Sequence, residues 1–206
     1  AIKDSRIEAV DDLSYVGLIF DQKVKPFDDI HVREAIAYSV DRDVIVKNLL
    51  RGLGQPATAI MTPESIEPPY TAAQADKPLA PVPQRAFDMA KAKAALAQPS
   101  VPHGFDVALT YPNTGPQIGL AAQAIAENLK TIGINVSVTE VPIEQWLATI
   151  GDGKHGLGFM WYFSTTADPS EINGYLLGPD NPNSFDSTAA NDLITLSGTQ
   201  KDPKER

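Results

Sequence analysis

"FDVALTYPNTGPQIGLAAQAIAENLKTIGINVSVTEV" (residues 105–141) carries two apolar periods in one stretch, and their order decides the fold. Phe105, Val107, Leu109 and Tyr111 alternate as a half-buried strand does, after which Ile118, Ala122, Ile125, Leu129 and Ile132 recur at helical spacing. Gly133 stops that helix, and "INVSVTEV" (134–141) alternates again. A full-length helix between two strands implies parallel pairing through a right-handed crossover.

The alternation extends downstream through a short helix around "IEQWLATI" (143–150), a turn at Gly151 to Gly153, and a strand in "GLGFMWYF" (156–163). Upstream, "YVGLIF" (15–20) reads as a strand ending near Asp21. Ile30, Ala35, Ile36 and Val40 follow Asp29 at helical spacing, and Asp41 caps a second helix through Ile45, Leu49 and Leu50 to Gly52. Asp88 caps the alanine-rich "MAKAKAALAQ" (89–98). Between them, residues 54–85 hold Pro56, Pro63, Pro68, Pro69, Pro78, Pro81 and Pro83 without a sustained period, the mark of a long surface excursion. The fold class is α/β, a mixed sheet flanked by helices.

Composition narrows the function. A net charge of -9 with scattered basic residues repels phosphate backbones and anionic headgroups, so no nucleic-acid partner is expected. No apolar stretch approaches the ~20 residues that cross a bilayer. The absence of cysteine excludes disulfides, thiolate nucleophiles and cysteine metal sites. His31, His103 and His155 stand far apart, none beside an acid at a ligating spacing, so no metal is expected. There is no Walker-type glycine loop and no G-x-S-x-G elbow, and neither a cofactor nor a catalytic residue is expected. Residues 1–12 lack the basic and apolar regions of a secretory signal, and "KDPKER" (201–206) reads as a helix just beginning at Asp202-Pro203, so the expectation is a piece of a longer protein.

Ligands of open α/β sheets gather beyond the carboxyl ends of the strands. Two loops qualify if strands 105–111 and 157–163 run parallel: "PNTGPQ" (112–117), with Asn113, and "STTADP" (164–169). Each enters a helix whose first N–H groups lack intrahelical partners. Asp168, Pro169 and Glu171 take the order N-cap, N1, N3, a structural helix start. The hydroxyls of Ser164, Thr165 and Thr166 precede that cap, either free for a solute or bonded to their own backbone. Trp161, Trp146 and Tyr111 are either core residues or rings on which a ligand stacks.

"KPFDDIHVREAIAYSVDRDVIVKNLLRGLGQPA" (25–57) resembles the solute-binding proteins of ABC importers, family 5, in Pro26-Phe27-Asp28-Asp29, Val32-Arg33-Glu34-Ala35-Ile36, Asp41-Arg42 and Gly52. The likeness continues through "FDMAKAKAALA" (87–97), "AQAIAENLKTIGINV" (122–136) and "WYFSTTADP" (161–169). It implies a type II periplasmic-binding-protein-like fold, with residues 1–206 forming the second, inserted lobe and the first lobe lying elsewhere in the same polypeptide. It also implies an address in the periplasm or outside the cell, where a lipid anchor is one option, and delivery of a trapped solute to ABC permease subunits in the membrane. Peptide binders of the family carry an aspartate shortly before the Asp-Pro step that pairs with the peptide's α-amino group. That place falls here on Thr165 or Ser164, neither acidic, so a neutral oligosaccharide is expected beside a peptide-like solute. The rival readings are an α/β hydrolase using Asp168 or a nearby carboxylate, and a solute sensor without transport. The first needs a second acid or a histidine near the loop, which the spacing does not supply.

Overall fold

The computed structural model describes residues 8, 12–66, 70–98, 100–166, 168–202 and 205. The residues before Glu8, Asp11, Pro68, Pro69 and the helix start read at Pro203 lie outside the described residues.

Short aspartates set where the helices begin. β1 (Tyr15–Phe20) leads to α1 (Ile30–Ser39), where Asp29 Oδ1 accepts from the His31 N–H at 2.8 Å. α1 buries Val32, Ala35 and Ile36, and Asn128 of a later helix donates to the Ser39 carbonyl at 2.9 Å. Asp41 caps α2 (Arg42–Val44), but the expected longer helix does not continue as α: residues Ile45–Leu49 form a π-turn before Gly52, at φ 78°, ends the run. The proline-rich excursion is more ordered than its sequence promised. It holds a 3-10 turn (Pro63–Ile66) and α3 (Ala72–Leu79), where Gln74 Oε1 reaches back to accept from the Thr71 N–H at 3.3 Å and the Thr71 hydroxyl at 3.0 Å. Asp88 accepts from two N–H groups at the start of α4 (Met89–Leu96), which packs on α1, and an Arg85–Glu34 ion pair of 2.6 Å fastens the approach.

β2 (Phe105–Pro112) and β3 (Ile134–Val141) pair in parallel, Phe105 opposite Ile134 and Pro112 opposite Val141, with α5 (Pro116–Lys130) crossing between them. The residues that set the helical period, Ile118, Ala122, Ile125 and Leu129, are those α5 buries. At the amino ends of the two strands Gly104 and Gly133 approach so closely that a Cβ on Gly104 would lie 2.8 Å from the Gly133 carbonyl oxygen. α6 (Ile143–Gly151) follows, then β4 (Leu157–Tyr162), α7 (Pro169–Leu177) and α8 (Thr188–Thr199). β4 does not hydrogen-bond β2. It pairs antiparallel with β1, Tyr15 opposite Tyr162, and packs beside β2, so the mixed character resides in two small two-stranded sheets among the described residues.

Two apolar clusters hold these layers. Phe27, Ile36, Leu109, Leu129, Ile134, Leu157 and Phe159 form one, and Ile19, Val141, Trp146, Ile150, Met160, Ile172 and Leu176 form the other. At the junction of β1 and β4, Asp21 is fully buried: its N–H donates to the Gly156 carbonyl at 2.8 Å and its Oδ1 accepts from the Lys23 N–H. Both ring nitrogens of His155 are buried without a hydrogen-bond partner, as is Asp21 Oδ2. Burial pushes the His155 pKa down, and the charge of Asp21 opposes that shift.

The chain is expected to melt in one cooperative transition, and Leu129→Ala, at a fully buried position, to cost about 2–5 kcal/mol by the transfer and cavity terms. Broad, multi-step melting checked by calorimetry would contradict the single-unit description. His155 is held neutral in the fold, so the unfolded chain binds the extra proton as pH falls below the ordinary value of 6.5. Its contribution to stability is therefore present above that pH and lost below it. The melting midpoint should fall from pH 7.5 to 5.5, and His155→Gln should flatten that slope; equal slopes in the two proteins would exclude His155 as the cause.

Candidate functional site

Alternation along β4 sends Trp161 to the face shared with Val16, its cross-strand partner, and Met160 and Tyr162 to the opposite face. Trp161 is half-buried and meets the ring of Phe163 at 5.4 Å and 52°, while Phe163 is 57% exposed. The end of the strand therefore sets Trp161 half-buried at the margin of the core and Phe163, just beyond the strand, mostly in solvent beside it. Phe163 was missed in the sequence, where it reads as one more member of an apolar run.

The loop after Phe163 is organised by one carboxylate. Asp168 Oδ1 accepts from the Ser170 N–H at 2.9 Å and Pro169 opens α7, the expected helix start. Glu171 does more than occupy the third helical position. Its Oε1 accepts from the Thr165 N–H at 2.8 Å, the Thr165 hydroxyl at 3.1 Å and the Tyr162 hydroxyl at 3.1 Å. Its Oε2 accepts from the Thr166 N–H at 2.8 Å and the Thr166 hydroxyl at 2.7 Å. Thr166 Oγ1 in turn accepts from the Asp168 N–H at 3.3 Å. The threonine hydroxyls that the sequence left either free or bonded to their own backbone are thus committed as donors to the Glu171 side chain, and that of Thr166 also accepts from the loop's backbone at Asp168. The readable signal was an acid at the third helical position behind a Ser-Thr-Thr run.

The electrostatics follow from these bonds. The Thr165 backbone N–H, then the Thr166 hydroxyl and the remaining donors, hold the Glu171 carboxyl at a pKa of about 2. Burial first, then the bond to Glu171 and its charge, push the Tyr162 hydroxyl up to about 12. Tyr162 also lies 5.1 Å from Tyr175, a tilted ring pair that braces α7 against β4.

The other candidates separate from this group. Trp146 is only 4% exposed, and its indole N–H donates to the Phe159 carbonyl at 2.9 Å, so it is a core residue and presents no ring to a ligand. Tyr111 is buried too: its hydroxyl donates to Glu140 Oε2 at 3.1 Å, and its ring lies over Gly119, where a Cβ would collide with it. Asn113 is exposed in the turn before α5, with its N–H donating to the Val141 carbonyl at 3.0 Å. Val141 closes β3 and shares a cluster with Trp146, Met160, Trp161 and Tyr162, which brings the carboxyl ends of β3 and β4 over one block of core. Ser164 is half-buried beside the two threonines.

Two hollows lie elsewhere on the surface. One of about 170 Å³ is lined by Tyr15, Phe20, Arg33, Ile60, Leu176 and Phe185, and an open one of about 780 Å³ by Lys25, Asp28, Asp29, Ser100 and Phe105. Neither is lined by Trp161, Phe163, Ser164, Thr165, Thr166 or Glu171. Among the described residues no group of three or more metal-ligating acids and histidines occurs, and no helix is long and apolar enough to cross a membrane.

The sequence profile of the bacterial extracellular solute-binding proteins, family 5 Middle, matches residues 2–184. The Glutathione-binding protein of Shigella flexneri serotype 5b (strain 8401) is 32% identical over 151 residues, which are 72% of this chain and 28% of that protein. Among solved structures, the PBP AgaA of A. tumefaciens R10 in complex with agropinic acid is 29% identical at a TM-score of 0.76, over 94% of this chain and 39% of the other. The dipeptide binding protein of Pseudoalteromonas sp. SM9913 in complex with Met-Leu shares the fold at a TM-score of 0.79 and 22% identity, over 93% of this chain and 38% of the other. The chain spans between a quarter and two fifths of the length of these relatives.

Protonating Glu171 should release the loop. Because its pKa is depressed from 4.5 to about 2, the clasp is present above the ordinary carboxylate range and is lost only as pH falls towards 2. The amide resonances of Thr165 and Thr166 are expected to shift together with a midpoint well below 4.5, and a midpoint at the ordinary value would show that the carboxylate is not held by them.

Proposed function

Because the chain belongs to the bacterial extracellular solute-binding proteins, family 5, we propose that it is the second, inserted lobe of a solute receptor that hands its cargo to an ABC permease in the membrane. The first lobe is then supplied by the rest of the same polypeptide, and the receptor works in the periplasm or at the outer face of the cytoplasmic membrane. Its task is capture and delivery rather than catalysis.

One observation carries this reading. The half-buried Trp161, the exposed Phe163 and the polar loop after them stand at the carboxyl end of β4, apart from the two hollows described above. A small-molecule site normally encloses most of its ligand. A surface of this kind is half of such a site, and a second lobe closing over it supplies the other half. Ser164, Thr165, Thr166, Trp161 and Asn113 then line the solute.

The solute is a small peptide-like or amino-acid-derived molecule. Relatives with overlapping sequence are a glutathione-binding protein and a receptor complexed with agropinic acid. The case for an oligosaccharide rested on hydroxyls free to donate and accept, and those of Thr165 and Thr166 already donate to Glu171.

The test is thermal shift and calorimetry on the full-length protein with glutathione, di- to pentapeptides, opines, oligosaccharides and metal chelates. A ligand at one hundred times its Kd stabilises by about 2.7 kcal/mol, enough to move the midpoint visibly. Peptide-like solutes are expected to bind, Trp161→Ala to weaken them by about tenfold or more, and the 206-residue chain alone to bind only at millimolar concentrations or above. An isolated chain that matched the full-length affinity would overturn the two-lobe reading.

A further inference from the structure

The carboxylate of Glu171 accepts five hydrogen bonds, three on Oε1 and two on Oε2, and every donor belongs to Tyr162, Thr165 or Thr166. An ionised carboxylate offers about four lone-pair sites, so this one has no capacity left for a ligand. Its charge is nevertheless uncompensated. The donors are neutral amides and hydroxyls, and the ion pairs recorded among the described residues, Arg85 with Glu34 and Lys91 with Asp88, lie in other elements.

The consequence falls on the two threonines. A hydroxyl has one proton and two lone pairs. Thr165 and Thr166 spend their protons on Glu171, at 3.1 and 2.7 Å, and Thr166 uses one lone pair on the Asp168 N–H. What remains for a solute on these two hydroxyls is lone pairs alone. The backbone N–H groups of both residues also point at the carboxylate, at 2.8 Å each, so these two main-chain donors are withdrawn from a solute as well. The threonine pair, amphoteric in sequence, is thus an acceptor surface with a fixed negative charge behind it.

We infer that Glu171 is a specificity-determining positioning residue: by orienting the hydroxyls of Thr165 and Thr166, it makes this edge of the solute site take a ligand's N–H or ammonium group and reject carboxylates and other pure acceptors. Glu171 acts through the threonines and does not touch the solute. The carboxylate that the loop lacks at Ser164 and Thr165 is thereby supplied from α7, one layer back. The inference rests on the proposed solute-receptor reading, in which Thr165 and Thr166 face the cleft. The depressed pKa of Glu171 is in keeping with it, since the charge persists throughout the pH range in which a receptor operates.

The experiment compares free and N-acetylated forms of two probes, Met-Leu and glutathione, on the full-length protein by calorimetry. The wild-type protein should prefer the free amine of at least one pair by about tenfold or more, the size expected when a site built for a donor meets a group without it. In Glu171→Gln the charge is removed and the threonines turn freely, so the preference should collapse towards one. Glu171→Asp should restore part of it. Equal loss of both forms in Glu171→Gln would mark Glu171 as a merely structural support and overturn the inference. Equal binding of both forms by the wild type, or binding of neither, overturns it too. The receptor reading is scored separately: binding of any other solute that Trp161→Ala weakens keeps that reading while the inference falls, whereas solute binding untouched by Trp161→Ala removes the site itself.

Discussion

Parallel pairing of β2 with β3 is the constraint from which the rest of the fold follows. Two parallel neighbours cannot be joined by a tight turn, so the chain must return the length of the strand before it can pair again, and α5 is that return. The helix buries Ile118, Ala122, Ile125 and Leu129 against the pair, and α1 is held to it by the bond from Asn128 to the Ser39 carbonyl. Because the strands run the same way, both finish on one edge, Pro112 beside Val141. The chain leaves that edge twice, through Asn113 into α5 and through Pro142 into α6. Antiparallel pairing would have left one turn there and the other at the opposite end.

Much of this was readable because its determinants are local. Asp29, Asp41, Asp88 and Asp168 are caps whose side chains reach N–H groups two or three residues on, and the crossover helix announces itself by spacing. What could not be read depends on contacts distant in sequence. The antiparallel pairing of β1 with β4 joins residues more than 130 positions apart, and no periodicity encodes which strand lies beside which. α3 escaped for a different reason: its alanines give no apolar stripe and Pro78 lies within it, leaving Thr71 and Gln74 as the only local sign of a start.

At the site, Asp168 and Pro169 were legible for the same local reason, but the role of Glu171 was not. A glutamate at the third helical position ordinarily reaches back to its own cap. Here Thr166 Oγ1 already accepts from the Asp168 N–H, so the cap's donor is taken and the glutamate extends to the next unpaired N–H groups, those of Thr165 and Thr166. The outcome depends on a loop conformation that itself depends on the glutamate. Such mutual dependence has no one-dimensional signature, although the residue types that permit it are all visible.

The two tryptophans show how position on an element divides a core ring from one at its margin. Trp146 projects from α6 into the second cluster, where burial obliges its indole N–H to find a partner, and the Phe159 carbonyl is at hand. Trp161 lies two residues beyond Phe159, on the same face of β4, where the adjoining residue of β1 is the half-exposed Val16 and the core is running out. One further step on that face brings Phe163, outside the strand and mostly in solvent. Ring area left in solvent there forgoes the stability that burial would have supplied. That cost is confined to the end of the strand from which the Glu171-held loop departs, and it falls where a covering lobe or a solute would recover it.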